Sequence, residues 1–169
     1  MKVLKWLLDV LSFTIPITRV RLATAATVLL DNGFNVVGGI VGYWYSGYLK
    51  NVFNTGNITV YNKNNAPSQV GGIVGSVNLT GGNQSSGTNA ALSISNAYNL
   101  GSLRSFMGGG KYNEVGGILG GTFNYSGTSN RLKISNAYTM GNIYVDSTVN
   151  FVGDILLSLI HISEPTRPY

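Results

Sequence analysis

The side chains able to do acid–base or nucleophilic work are few and scattered. The chain of 169 residues has one histidine, His161, and no cysteine. Thiolate zinc sites, disulfides and cysteine nucleophiles are therefore excluded. His161 stands close to the C-terminus, with no second imidazole to complete a triad or a metal site. The carboxylates of the central region are Glu114, Asp146 and Asp154, each in a different sequence context. Stacked repeats could bring Glu114 near Asp154, but solvated rim charges are the simpler reading. Gly108-Gly109-Gly110-Lys111 resembles part of a phosphate-binding loop and fails its test. Ser105 stands where the first glycine is required, and Tyr112 replaces the metal-binding hydroxyl residue. Gly38-Gly39-Ile40-Val41-Gly42 is no dinucleotide fingerprint either, since no crossover helix follows it. Neither metal nor cofactor is expected, and the expected class is non-enzymatic.

What remains is binding by aromatic side chains. Of ten tyrosines, Tyr43, Tyr45 and Tyr48 cluster with Trp44 and have no counterparts elsewhere in the chain. They are the candidate contacts for a protein or glycan partner. The net charge of +5 comes from eleven cations with no Lys/Arg run, which argues against nucleic acid. Charged residues make up only 10% of the chain, so Asn, Ser, Thr and backbone must wet the surface.

These residues sit in a repeat. Val37-Gly38-Gly39-Ile40-Val41-Gly42 returns as Val70-Gly71-Gly72-Ile73-Val74-Gly75 and as Val115-Gly116-Gly117-Ile118-Leu119-Gly120. A damaged copy begins at Val152-Gly153-Asp154-Ile155. A second motif follows each full copy: Asn51-Val52-Phe53, Asn96-Ala97-Tyr98 and Asn136-Ala137-Tyr138. Five residues after each Asn comes a glycine, Gly56, Gly101 or Gly141. The interval from Gly-Gly to Asn varies, whereas that from Asn to Gly is fixed, so one connection is a loop of free length. Leu92-Ser93-Ile94-Ser95 and Leu132-Lys133-Ile134-Ser135 alternate with period two, the mark of half-buried strands.

A unit this small buries its apolar face only by stacking on its neighbours. The expected fold is all-β: a parallel β-solenoid of about three coils, with variable loops on one side. Each repeat is expected to give about three strands, one of them at Gly-Gly-Ile. Ile40, Ile73 and Ile118 should form one buried row, and Ile94 and Ile134 another. The repeated glycines suit tight corners with positive φ. The motif asparagines either form an inward amide ladder or are ordinary surface turn residues. Tyr98 and Tyr138 are expected to pack within the stack.

The motif pair, Val-Gly-Gly-Ile-Val-Gly followed by Asn-Ala-Tyr-x-x-Gly-x-Ile, resembles the GLUG repeat. The resemblance covers 35–156, in copies near 35–69, 70–114 and 115–151 with a fragment from 152. The first copy departs from it, with Val52-Phe53 in place of Ala-Tyr. It implies a structural or adhesive segment of a secreted or cell-surface bacterial protein, whose partners are neighbouring repeats and a host protein or glycan. The alternative it implies is a non-catalytic spacer in an exported metallopeptidase. Residues 157–169 resemble a translated sequencing adapter, an assembly artefact to be set aside from function. Residues 1–34 read as a terminal cap, a weak signal-like segment or a mis-framed start.

Overall fold

The computed structural model describes residues 20–22, 26–30, 35–44, 47–62, 67–78, 92–107, 113–123, 132–146 and 150–155. Among them are fifteen strands in four parallel sheets. The first turn comprises β1 (Val20–Leu22), β2 (Ala26–Leu30), β3 (Asn35–Gly38) and β4 (Val41–Trp44). The second runs through β5 (Gly47–Asn54), β6 (Ile58–Asn62), β7 (Ser68–Gly71) and β8 (Val74–Asn78). The third is β9 (Leu92–Asn99), β10 (Leu103–Met107), β11 (Asn113–Gly116) and β12 (Leu119–Phe123). A partial fourth holds β13 (Leu132–Thr139), β14 (Ile143–Asp146) and β15 (Asn150–Gly153). Sheet A stacks β1, β5, β9 and β13; sheet B stacks β2, β6, β10 and β14. Sheet C stacks β3, β7, β11 and β15, and sheet D stacks β4, β8 and β12. Every pairing is parallel and in the register of the repeats: Val37, Val70, Val115 and Val152 align, as do Ile58, Leu103 and Ile143. The fold is a parallel β-solenoid.

One expectation about its strands needs correction. Each full turn has four strands, because the first glycine of Gly-Gly-Ile ends a sheet C strand and the second glycine with the isoleucine forms the bend between sheets C and D. Strands before residue 35 also join the stack: β1 pairs with β5 and β2 with β6, adding one strand each to sheets A and B.

Burial shows how the layers are arranged. Strands of A and B alternate, with Leu92, Ile94 and Ala97 buried and Ser93, Ser95 and Tyr98 turned outward. β7 and β8 are buried at every residue. One apolar cluster joins sheet D to sheet A through Val41, Val74, Leu119, Leu49 and Ile94. Another joins sheet C to sheet B through Val37, Val70, Val115, Ile58 and Val60. The layer order is therefore B, C, D, A, with the C–D arch folded into the interior. Each aliphatic side chain buried this way contributes roughly 1.5–3 kcal/mol.

Glycine makes the arch possible by its size. A Cβ on Gly75 would lie 2.7 Å from the carbonyl oxygens of Gly42 and Val37, and one on Gly120 would lie 2.6 Å from the backbone nitrogen of Val70. C and D thus touch backbone to backbone, far closer than the roughly 10 Å of ordinarily packed sheets. Positive φ at these motif glycines is not found. Gly47 alone among the described glycines has it (φ 104°), and it lies outside both motifs.

The isoleucine row forms as expected. The Ile40 N–H donates to the Ile73 carbonyl at 2.9 Å, and the Ile73 N–H to that of Ile118 at 3.1 Å. Ile73 and Ile118 are fully buried, and Ile40 and Ile155 pack against the same cluster. Ile94 and Ile134 align in sheet A as the second row. The connections confirm where length is free. Between sheets A and B the chain spends three residues each time (55–57, 100–102, 140–142). Between D and A it spends two, thirteen and eight (45–46, 79–91, 124–131). Between B and C it spends four, five, five and three (31–34, 63–67, 108–112, 147–149), so the large variation falls on the D–A side.

Candidate functional site

The left-handed backbone conformation that glycine was expected to supply belongs to asparagine. Asn51, Asn96 and Asn136 have φ of 56°, 51° and 48° and break the alternation of the A strands. Asn tolerates this conformation better than other residues with a Cβ. Their amides also ladder along the surface: Asn96 Nδ2 donates to Asn51 Oδ1 at 2.8 Å, and Asn136 Nδ2 to Asn96 Oδ1 at 2.6 Å. They lie at the surface, as one reading had it, but within strands rather than turns, and the amide ladder of the other reading faces outward rather than inward.

The inward ladder lies three residues further on, at positions the motif analysis missed. Asn54 and Asn99 are fully buried. Asn54 Nδ2 donates to Asn99 Oδ1 and to the Gly56 carbonyl, both at 2.9 Å, while Asn54 Oδ1 accepts from the Gly56 N–H at 2.9 Å. Asn99 Nδ2 donates to Thr139 Oγ1 at 3.2 Å. This ladder fastens the A–B corner to the tip of the arch. A Cβ on Gly72 would sit 2.4 Å from Asn99 Cγ, and one on Gly117 would sit 2.6 Å from Thr139 Cγ2. Aligning the repeats by Gly56, Gly101 and Gly141 would have revealed the series Asn54, Asn99 and Thr139.

With that corner fixed, two aromatic rows emerge on either side of it. On sheet A, Phe53, Tyr98 and Tyr138 share a register position. The Tyr98 and Tyr138 rings lie 4.5 Å apart between centroids, tilted by 32°. They pack against each other as expected, but on the outer face, where Tyr138 is 43% exposed. On sheet B, Tyr61 stacks on Phe106 at 4.9 Å and 9°, and Phe106 meets Tyr144 at 5.7 Å and 50°. Between the rows, at the corner itself, Leu100 and Met140 are exposed. Lys50, Lys133 and Arg104 are exposed on the same two faces. Tyr61 and Phe106 were legible in principle, since each follows the post-glycine aliphatic residue by three positions.

The three described aromatic candidates, Tyr43, Trp44 and Tyr48, are not brought together. Trp44 is a core residue, 6% exposed and opposite Val77 in sheet D. It is corrected from ligand contact to packing, because the A strands cover its side of sheet D. Tyr43 is half-buried in sheet D, whereas Tyr48 is exposed on sheet A. Tyr45 lies outside the described residues, as does His161.

The carboxylates are also apart. Asp146 is exposed on the outer face of sheet B, and Asp154 lies in the last Gly-Gly bend. Glu114 is half-buried inside the arch, where Gln69 Nε2 donates to its Oε2. Burial raises the Glu114 pKa above its ordinary value, an effect the Gln69 hydrogen bond partly opposes. Glu114 aligns with Gln69 and Phe151, not with Asp154. Among the described residues no three His, Asp or Glu side chains are grouped to hold a metal. No family model, curated protein or solved structure matches the chain.

Proposed function

We propose that this chain is a non-enzymatic structural and adhesive segment that presents a rigid display surface. The observation that carries the proposal is the A–B corner. Its exposed Leu100 and Met140 are flanked by the Tyr98–Tyr138 pair and by Tyr61, Phe106 and Tyr144. Contiguous apolar surface of this kind marks interaction sites. The exposed Tyr61, Tyr138 and Tyr144 add hydroxyl-bearing rings with little conformational entropy to lose, a composition suited to protein or glycan contact. The order of the two motifs, with its likeness to GLUG repeats, supports placing the segment on a secreted or cell-surface bacterial protein.

The test is retention on a panel of immobilised polysaccharides and extracellular-matrix proteins, comparing the native chain with a Tyr138→Ser/Met140→Ser variant. Both side chains are exposed, so folding should be nearly unaffected. The native chain should be retained by one class, and the variant should bind at least about tenfold more weakly, or about 1.4 kcal/mol. Equal retention of the two, or retention of neither, refutes the display reading. Turnover of any panel member would refute the non-enzymatic one.

A further inference from the structure

The A–B corner is an edge and not a groove. The Asn54–Asn99–Thr139 ladder and the tip of the arch fill its inner side, so its outer side is convex. Leu100 is 44% exposed even though Asn99, the residue before it, is paired on both sides, with Asn54 and with Thr139. Its exposure therefore belongs to the middle of the stack. In successive turns the same position holds Thr55, Leu100 and Met140, three side chains of different shape. Charge on the adjoining sheet A is one-sided. Its four strands contain no Asp or Glu, and Lys50 and Lys133 are exposed on its outer face. Toward the corner that face carries the Asn51–Asn96–Asn136 amide ladder and then the Tyr98–Tyr138 pair. Sheet B differs, with Asp146 exposed on its outer face.

We propose that sheet A and the A–B corner dock on the surface of an anionic lipid bilayer, with Leu100 and Met140 entering it below the headgroups. The proposal rests on the reading of this corner as the recognition surface and names a partner for it. A folded protein partner must match the shape of what it covers. A bilayer deforms around an apolar edge and asks only that it be apolar, which suits a position held by leucine in one turn and methionine in the next. Tyr98 and Tyr138 lie just behind that edge, and tyrosine, with an apolar body and a polar tip, is the side chain of membrane–water interfaces. The amide ladder behind them supplies donors and acceptors at headgroup level. Lys50 and Lys133 complete the face: each lysine near an anionic leaflet adds attraction, and its long stem lets the ammonium stay among the phosphates. Apolar burial and charge attraction together set the strength of such surface docking. Sheet A is the face laid down because it presents cations without a carboxylate.

The test is co-sedimentation of the full chain with vesicles of phosphatidylcholine alone and of phosphatidylcholine mixed equally with phosphatidylglycerol, at low salt. The native chain should bind the mixed vesicles and bind the neutral ones far more weakly. Lys50→Gln/Lys133→Gln should lose about fivefold per lysine, or roughly 25-fold in all. Leu100→Ser/Met140→Ser should lose at least about tenfold, with Met140→Ser alone as a milder form and circular dichroism confirming the strand content of each. A Met140→Trp variant reports insertion directly: its emission should shift to the blue on mixed vesicles and be quenched by brominated acyl chains, unlike that of the native chain. Absence of binding to mixed vesicles overturns the proposal, as does equal binding of the native and serine forms. Binding without quenching of the new tryptophan also overturns it, since the edge then stays outside the bilayer. Retention on a polysaccharide or matrix protein without vesicle binding overturns the lipid partner and leaves the display reading standing; failure on both surfaces removes both.

Discussion

Ser105 interrupts a row of valines, and replacing it tests how the interior is held. The row in sheet B reads Val28, Val60, Ser105, Val145. Ser105 is fully buried, and its hydroxyl makes no hydrogen bond among the described residues. Leaving a buried hydroxyl unsatisfied costs about 1–3 kcal/mol. Ser105→Val removes that cost and adds apolar contact against Val60 and Val145. Overpacking typically costs about 1–3 kcal/mol, but valine already occupies the turns on either side of this position, so little of that penalty applies. The net expectation is a gain of about 1–3 kcal/mol. For a chain of this size, that raises the thermal midpoint by roughly 2–12 °C. Thermal and urea unfolding followed by circular dichroism would measure it, with Ser105→Ala separating loss of the hydroxyl from gain of methyl groups. If Ser105→Val is neutral or destabilising while Ser105→Ala is stabilising, the row cannot hold valine at this turn. If both are destabilising, the hydroxyl has a partner and the reasoning fails.

Two further outcomes follow from the polar positions. The Glu114 pKa lies above its ordinary value of 4.5 because burial penalises the carboxylate, so the folded state keeps the proton longer than the unfolded chain. Its contribution to stability is greatest below that ordinary value and falls as pH rises through the interval up to the raised folded value, leaving a full penalty at neutral pH. Glu114→Gln should flatten this decline and unfold at higher urea than the native chain at pH 7, the two curves converging in acid. At the surface ladder, Asn96→Ala should cost about 1–2 kcal/mol for the left-handed backbone and about 1 kcal/mol for lost hydrogen bonds. Asn96→Gly should recover the first part only, which equilibrium urea unfolding of both variants would show.

How much of this was legible in the sequence depended on whether a side chain reports one face or two. In sheets A and B one face meets water, so Leu92-Ser93-Ile94-Ser95 shows its strand by alternation. In sheets C and D both faces are covered, and Val74-Gly75-Ser76-Val77-Asn78 has no period to read. That is why Gly-Gly-Ile looked like one strand rather than a bend between two. The repeat spacing still gave the parallel register, since Val37, Val70, Val115 and Val152 align where the copies do. Trp44 lacks a counterpart in the other repeats, yet it is a core residue, so uniqueness in a repeat does not mark exposure. Trp44 opposes Val77, and Val77 opposes Thr122, so the interior of sheet D tolerates side chains of very different size. The corner surface was missed for a different reason: Leu100 and Met140 occupy one position in successive turns but differ in type, and only the geometry of the Asn54–Asn99–Thr139 ladder shows that the position faces outward.

Under the proposed display function, the same geometry separates stability from recognition. The A–B corner is held at three residues per turn by Asn54, Asn99, Thr139 and the glycine that follows each, so its outward positions repeat at a fixed spacing. The D-to-A connection starts from one stacked column of strand ends and returns to another. Its length therefore has no effect on the register of either sheet. Doubling a loop adds only about 0.6 kcal/mol of closure entropy, less than the burial of a single valine returns. Residues 79–91 can thus replace residues 45–46 in the next turn while Val77 stays opposite Trp44 and Leu92 opposite Gly47. Recognition chemistry can vary along the D–A side without disturbing the core, while the aromatic rows beside the A–B corner are tied to it. A ligand that reads the corner must match the spacing between turns, whereas one that reads the loops need not.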